Sequence, residues 1–124
     1  MKTGTRATLM RIYLQEAERH GPKALYEALV EAARDAGLAG ATVLRGIRGF
    51  GPSARMLSAR ILDLSSDLPI VVEIIDRNDR IESFLEQIQP LLEEADSRAL
   101  VTLEAARVVH YGAGSDAADP DAGD

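Results

Sequence analysis

The stretch Gly40–Gly51, GATVLRGIRGFG, joins an apolar, partly β-branched run to a loop that contains three glycines and Arg48. No aspartate or glutamate occurs from position 36 to position 62, although the chain carries a net charge of -6. Glycine permits close backbone approach, and the exposed N–H groups of such a loop can surround an anion. The stretch therefore predicts a strand that opens into either a phosphate-binding loop or a plain hairpin with solvated arginines. The residues alone leave both interpretations open.

The composition around this stretch is that of one globular domain. The chain has 124 residues, of which 46% are hydrophobic and 27% charged, and it has no cysteine. Disulfides and thiolate metal sites are thereby excluded. The apolar runs are too short to span a membrane and no signal peptide is recognisable, so we expect a cytoplasmic protein. The acidic balance argues against nucleic acid as a partner.

The segment 113–124, AGSDAADPDAGD, differs in composition from the rest of the chain. It contains four aspartates, no basic residue and almost nothing apolar. Such a composition cannot bury enough apolar surface to order itself, and it predicts a disordered acidic tail. The folded domain is therefore expected to cover residues 5–112.

Hydrophobic periodicity predicts the element order β-α-β-β-α-β. The first helix is expected to begin at Pro22 and to end at Gly37. The second helix is expected to be capped by Asp76 or Asn78 and to be kinked or shortened at Pro90. Strands are predicted over 7–14, 41–47 and 68–76. Between the last two, 59–64 is expected to be a hairpin arm and 65–67 a turn. Residues 100–103 and 107–111 are expected to form two short final strands or one interrupted strand.

This order is typical of the ferredoxin-like fold, an α+β architecture with an antiparallel sheet and two helices on one face. Because strands such as 7–14 are apolar on both sides, the second face of the sheet is expected to be buried against copies of the chain. Glu73 interrupts the strongest strand, and it should either face solvent or pair with an arginine. Arg45 and Arg60 are expected to pair with Glu73 or Asp63, with anion binding as the alternative.

Three segments in combination resemble the PII-like signalling superfamily: GATVLRGIRGFG, DLPIVVEIIDRNDRIESFL and LVTLEAARVVHYG. The resemblance covers residues 5–112, and the chain is most similar to the bacterial PII-like proteins of a family of unknown function. It implies a homotrimer that binds an adenine nucleotide (ATP, ADP or AMP) in the clefts between subunits, without a required cofactor. It also implies a mobile loop that changes order with the ligand and docks on a partner, such as a membrane transporter or channel.

The resemblance also implies a set of nucleotide-binding residues. Gly49 and Gly51 match the glycines where the second strand opens into the loop, and Thr42 matches a strand threonine that faces the cleft. Ser53 falls at the position of a ligand-contacting glutamine, and His110 at that of a phosphate-binding arginine. Arg48 and Arg55 are the basic side chains near the glycines. Phe50 either stacks on a base or anchors the loop.

Two departures from the nitrogen-regulatory PII pattern limit what the resemblance implies. Residues 93–99, EEADSRA, stand where PII proteins have a glycine-lysine loop, and the projecting loop lacks the tyrosine that is uridylylated. Sensing of ATP together with 2-oxoglutarate is therefore not expected, and neither is regulation by uridylylation.

Catalysis finds little support in the sequence. The chain has two histidines, His20 and His110, and no Walker A, GxSxG or metal-binding HxxxH pattern. We therefore expect neither an enzyme nor a metal site, and we interpret His20 and Glu93-Glu94 as surface residues. Three functions stay open: a nucleotide sensor, a ligand-independent interaction module, and a trimeric divalent-metal-tolerance protein of the same shape.

Overall fold

The computed structural model describes residues 1, 4–59 and 67–112. The predicted hairpin arm 59–64, with Arg60 and Asp63, lies almost wholly outside the described residues, as do most of the predicted turn and the tail 113–124. The elements in chain order are β1 (Arg6–Gln15), β2 (Arg19–His20), β3 (Lys23–Ala24), α1 (Leu25–Asp35), β4 (Gly40–Arg45), β5 (Arg48–Gly49), β6 (Leu57–Ser58), β7 (Pro69–Asp76), α2 (Asn78–Glu94) and β8 (Leu100–Arg107).

Four strands form an antiparallel sheet in the order β4-β7-β1-β8. With α1 between β1 and β4, and α2 between β7 and β8, the connectivity is β-α-β-β-α-β. The predicted α+β, ferredoxin-like fold is thereby confirmed. Neither described helix is both long and apolar enough to cross a membrane.

The core lies between the two helices and one face of the sheet. Burial along β7 alternates residue by residue, because successive side chains of a strand point to opposite faces. The apolar stripes of both helices cover that face. The core side chains that are at most 2% exposed come from β1, β7 and the two helices: Met10, Ile12, Ile70, Val72, Ile74, Leu25, Leu29, Ala33, Ile81, Phe84 and Ile88.

The other face of the sheet, which we call the open face, carries both apolar and charged side chains. Its centre is Arg11, whose guanidinium donates to Glu73 Oε2 from Nε at 2.9 Å and to Glu104 Oε1 from Nη1 at 2.5 Å. These two bonds raise the pKa of Arg11, and they settle the two alternatives for Glu73 in favour of an arginine partner. Strand register places the following on the same face: Leu9 and Tyr13 of β1, Thr42 and Leu44 of β4, Val71 and Ile75 of β7, and Leu100 of β8.

The first helix begins later than predicted. Pro22 lies in the turn of a small hairpin, because β2 and β3 pair with each other before the chain enters α1. Gly21 at the tip of this hairpin has φ +61°. The predicted end of the helix is confirmed at Gly37, whose φ of +72° lies in the left-handed region that favours glycine.

The expectations for the caps of α2 and for the final strand were wrong, and of the two alternatives at Pro90 the shortening of α2 does not occur. Neither Asp76 nor Asn78 provides a side-chain cap, and α2 continues through Pro90 to Glu94. Glu86 and Pro90 both lie on the exposed side of α2, so the carbonyl that loses its hydrogen bond at Pro90 can reach water. The final strand is single and ends at Arg107, after which Val108 N donates to the Thr5 carbonyl.

A buried carboxylate joins three segments at the end of β7. Asp76 is fully buried, and its oxygens accept hydrogen bonds from Ala39 N at 3.0 Å, Arg77 N at 2.6 Å and Arg80 Nε at 3.0 Å. Arg80 Nη2 also donates to the carbonyls of Ala36 and Gly37. The pair therefore ties the end of α1, the entry to β4 and the first turn of α2 together.

We expect the substitution Asp76→Ala to lower the free energy of unfolding by about 3 kcal/mol, because it leaves Arg80 and two backbone donors without their acceptor. Urea unfolding followed by circular dichroism measures the change. The matched control is Asp79→Ala. The side chain of Asp79 is 74% exposed, and its Oδ1 lies 3.6 Å from Arg77 Nε. Because an exposed ion pair contributes little, this substitution should lower the free energy of unfolding by less than about 0.5 kcal/mol. Equal losses in both variants would contradict the role given to Asp76.

Candidate ligand-binding cleft

A cleft of about 750 Å³ lies at the end of the sheet where β1 ends and β7 begins. One wall consists of the ends of these two central strands, the second of the β5–β6 loop, and the third of the connection between α2 and β8. The lining residues are Tyr13, Leu14, Gln15, Glu18, Gly46, Arg48, Gly49, Phe50, Gly51, Pro52, Ser53, Leu57, Pro69, Ile70, Val71, Asp96, Arg98 and Leu100.

The loop is held against the sheet by a close contact between Gly46 and Pro69. Gly46 N donates to the Pro69 carbonyl at 2.7 Å, and a Cβ at Gly46 would lie 3.0 Å from Pro69 Cγ. Gly49 packs against the same ring, with 3.4 Å for the corresponding distance. The backbone at Gly46, Gly49 and Gly51 does not enter the positive φ region. At Gly46 and Gly49, glycine is needed because the backbone lies close to the Pro69 ring.

Beyond Gly46 the chain forms the short β5–β6 hairpin. Arg48 pairs with Ser58 and Gly49 with Leu57, whose side chain is 4% exposed and anchors the hairpin. Phe50 is 68% exposed, so it does not anchor the loop by burial. Phe50 lines the cleft, so its exposed side chain is accessible to a molecule bound there.

Five of the eight predicted site residues line the cleft: Arg48, Gly49, Phe50, Gly51 and Ser53. The other three lie elsewhere within the single chain. Thr42 is opposite Glu73 on the open face, and Arg55 Nη2 donates to Asp67 Oδ2 at 3.0 Å. His110 follows β8 at the end of the sheet opposite to the cleft.

The structure adds to the cleft a basic residue that sequence reasoning missed. Arg98 lies in the connection after α2 and lines the same cleft as Arg48. Both side chains are exposed, and neither has a hydrogen bond or ion pair to any residue in the described ranges. The signal was present in the segment EEADSRA, which contains an arginine although it lacks the glycine-lysine pair.

Two further arginines of the segment 36–62, which contains no aspartate or glutamate, have acidic partners. Arg45 pairs with Glu16 and not with Glu73, because Glu16 follows β1 directly at the same end of the sheet. Arg55 pairs with Asp67, which also accepts a hydrogen bond from Ala17 N. Arg48 and Arg98 are therefore the cleft arginines available to an anion.

The cleft is continuous with the open face of the sheet. Tyr13, Val71 and Leu100 line the cleft, and their register places them on the open face as well. A molecule that covers the open face near these residues would therefore also form a wall of the cleft. Within the described part of the chain, no three His, Cys, Asp or Glu side chains converge in a way that would hold a metal ion.

Comparison with known families assigns the fold and the family. Residues 7–108 match the family model DUF190, described as an uncharacterized ACR, and the chain belongs to this family. A UPF0166 protein of Aquifex aeolicus is 39% identical over 102 residues, which cover 82% of this chain and 92% of that protein. A UPF0166 protein of Methanocaldococcus jannaschii is 28% identical over 87 residues, covering 70% and 80% respectively.

Solved structures of PII-like proteins share the fold of this chain, which is the fold that the resemblance in the sequence implied. CPII, a nitrogen regulatory PII-like protein from Thiomonas intermedia bound to ADP, AMP and bicarbonate, matches with a TM-score of 0.64 at 19% identity over 86% of this chain and 91% of its own. A protein from Thermus thermophilus that is named a PII-like signaling protein matches with a TM-score of 0.60 at 20% identity, over 87% and 94%. At these identities the likeness shows the fold.

The Gly46–Pro69 contact can be tested by substitution. We expect Gly46→Val to lower the free energy of unfolding by about 1–3 kcal/mol, because its side chain must displace a rigid proline ring or the hairpin. Chemical unfolding measures the loss. Gly51→Val is the control, since nothing lies within 4 Å of a Cβ at that position. A larger loss for the Gly51 variant would show that the Pro69 contact does not hold the loop.

Proposed function

We propose that this protein is a non-enzymatic, PII-like sensor that binds an adenine nucleotide in the cleft and signals through the adjoining loop. The observation that carries the proposal is the cleft itself, in which Arg48 and Arg98, neither of which forms an ion pair with a described residue, line a largely apolar space. Arginine forks suit phosphate oxygens, and exposed aromatic rings such as Phe50 suit a base. The ADP and AMP bound by CPII support the same choice of ligand.

The signalling step follows from the position of the loop. Phe50, Gly51, Pro52 and Ser53 belong both to the cleft wall and to the projecting loop, so a ligand that contacts them changes the surface the loop presents. A ligand shifts such a loop between conformations only by the difference in its affinity for them. We propose a protein partner for this surface, and the resemblance suggests a membrane transporter or channel.

Nucleotide binding is tested by calorimetric titration of the protein with ATP, ADP and AMP. We expect saturable binding, and we expect Arg48→Ala and Arg98→Ala each to weaken ADP about tenfold or more, because each removes charge-assisted hydrogen bonds to phosphate. Arg34→Ala is the control for loss of one positive charge, since Arg34 is 80% exposed on α1. Unchanged ADP affinity in both cleft variants would refute the phosphate assignment.

We further propose that the functional unit is a homotrimer whose open faces meet. Tyr13, Leu44 and Leu100 are 40%, 48% and 57% exposed in the single chain, which is unusual for large apolar side chains grouped on one sheet face. A neighbouring subunit at this face would reach the cleft through the shared residues. It would also bring further side chains, such as His110 of another copy, within range of the ligand.

Sedimentation at micromolar concentration tests this assembly. We expect the native chain to sediment as a trimer and Leu44→Glu to dissociate it, because the new carboxylate would be buried without a partner. Gln87→Glu adds the same charge on the exposed side of α2 and should leave the assembly intact. A trimer that tolerates the Leu44 substitution would place the subunit interface elsewhere.

One observation favours a second function, a ligand-independent interaction module. Ile47, Phe50 and Met56 on the loop are 80%, 68% and 48% exposed, and exposed apolar side chains are suited to a protein partner. The absence of heat with all three nucleotides, together with an intact trimer, would favour this function over the sensor.

A further inference from the structure

The backbone that carries Arg98 leaves α2 through a conformation that favours glycine. Asp96 has φ +48°, while the amides of Ala95, Asp96 and Ser97 still donate to carbonyls of the last turn of α2. A non-glycine residue in the left-handed region persists where its surroundings hold it. The direction in which Arg98 leaves the helix therefore depends on what holds its neighbours.

Glu18 and Ser97 hold the neighbours of Arg98 through hydrogen bonds. The Ser97 hydroxyl donates to Glu18 Oε1 at 2.6 Å and accepts a hydrogen bond from Ala99 N at 3.1 Å. Ser97 thus fixes the backbone on both sides of Arg98. The second carboxylate oxygen of Glu18 accepts from Gln15 N at 2.7 Å, so the chain of bonds ends on the last residue of β1, which is itself part of the cleft wall.

The residues that hold Glu18 belong to regular secondary structure. Gln15 is the last residue of the central strand β1 and pairs with Pro69 of β7. The Glu18 carbonyl accepts a hydrogen bond at 2.8 Å from Leu25 N, the first residue of α1. Glu18 is therefore held from both directions along the chain, and its carboxylate is a fixed acceptor for Ser97.

We propose that Glu18 and Ser97 are positioning residues that hold Arg98 in the cleft toward the phosphate of the bound nucleotide. The inference rests on the proposed function, since it concerns the same cleft and the same ligand class. Its physical basis is preorganisation: an arginine whose backbone is already fixed loses less conformational freedom when it binds phosphate. Glu18 also lines the cleft with its own negative charge, so its removal would change anion affinity in a second way. Ser97 is uncharged, so its substitution tests the positioning role without changing the charge of the cleft.

The test is a double-mutant cycle on ADP binding. We expect Ser97→Ala to weaken ADP about threefold to tenfold and Ser97→Thr, which keeps the hydroxyl, to restore most of the affinity. In the Arg98→Ala background, the same Ser97→Ala change should have no further effect, because Ser97 acts through Arg98. A merely structural role would instead lower affinity equally in both backgrounds. Circular dichroism and thermal unfolding establish that each variant is folded.

The outcomes separate the two proposals. If Arg98→Ala weakens ADP but Ser97→Ala does not, or if the two losses simply add, the positioning role is overturned and the nucleotide site stands. If neither Arg48→Ala nor Arg98→Ala affects ADP, the phosphate assignment fails, and if ADP does not bind at all, the proposed function itself fails. Coupling between Ser97 and Arg98, with rescue by threonine, is the expected result.

Discussion

The antiparallel pairing of β1 with β7 is the constraint on which the rest of the structure depends. These two strands occupy the centre of the sheet, and their register runs from Thr8 opposite Asp76 to Gln15 opposite Pro69. A slip of one residue would turn every side chain of one strand to the other face, exposing the core and burying Arg11. The pairing therefore fixes the core, the open face and the cleft together. The ends of the same strands form the rigid wall against which the loop and the Arg98 segment are arranged.

The open face of the sheet combines charged and apolar side chains. Its central ion cluster of Arg11, Glu73 and Glu104 lies among apolar side chains, so the face is neither a solvated surface nor a core. Charges of this kind contribute little to stability when exposed, but they can determine which surface fits when a partner covers them. The proposed trimer gives the cluster that role, and the continuity of the open face with the cleft would then couple assembly to ligand binding.

Much of the fold was predictable, because hydrophobic period and turn residues are local signals. The alternation in β7, the stripe of α1 and the left-handed Gly37 follow from residues that are close in the chain. The errors arose where pairing between segments, which hydrophobic period does not report, decided the outcome. The β2–β3 pairing delayed α1 beyond Pro22, and the proximity of Glu16 to the end of β4 gave Arg45 a partner other than the two predicted.

For the candidate site, the sequence by itself determined a glycine- and arginine-rich loop after the second long strand. It also contains the family resemblance, which implies that this loop contacts a nucleotide. The tertiary structure decided which arginines remain available, since Arg55 meets Asp67 while Arg48 does not meet an acidic residue within the described chain. It also decided that Arg98, fifty positions further along, lines the same cleft. The physical reason is that the identity of a charged residue is local, whereas its partner is set by how non-adjacent segments of the chain pack together.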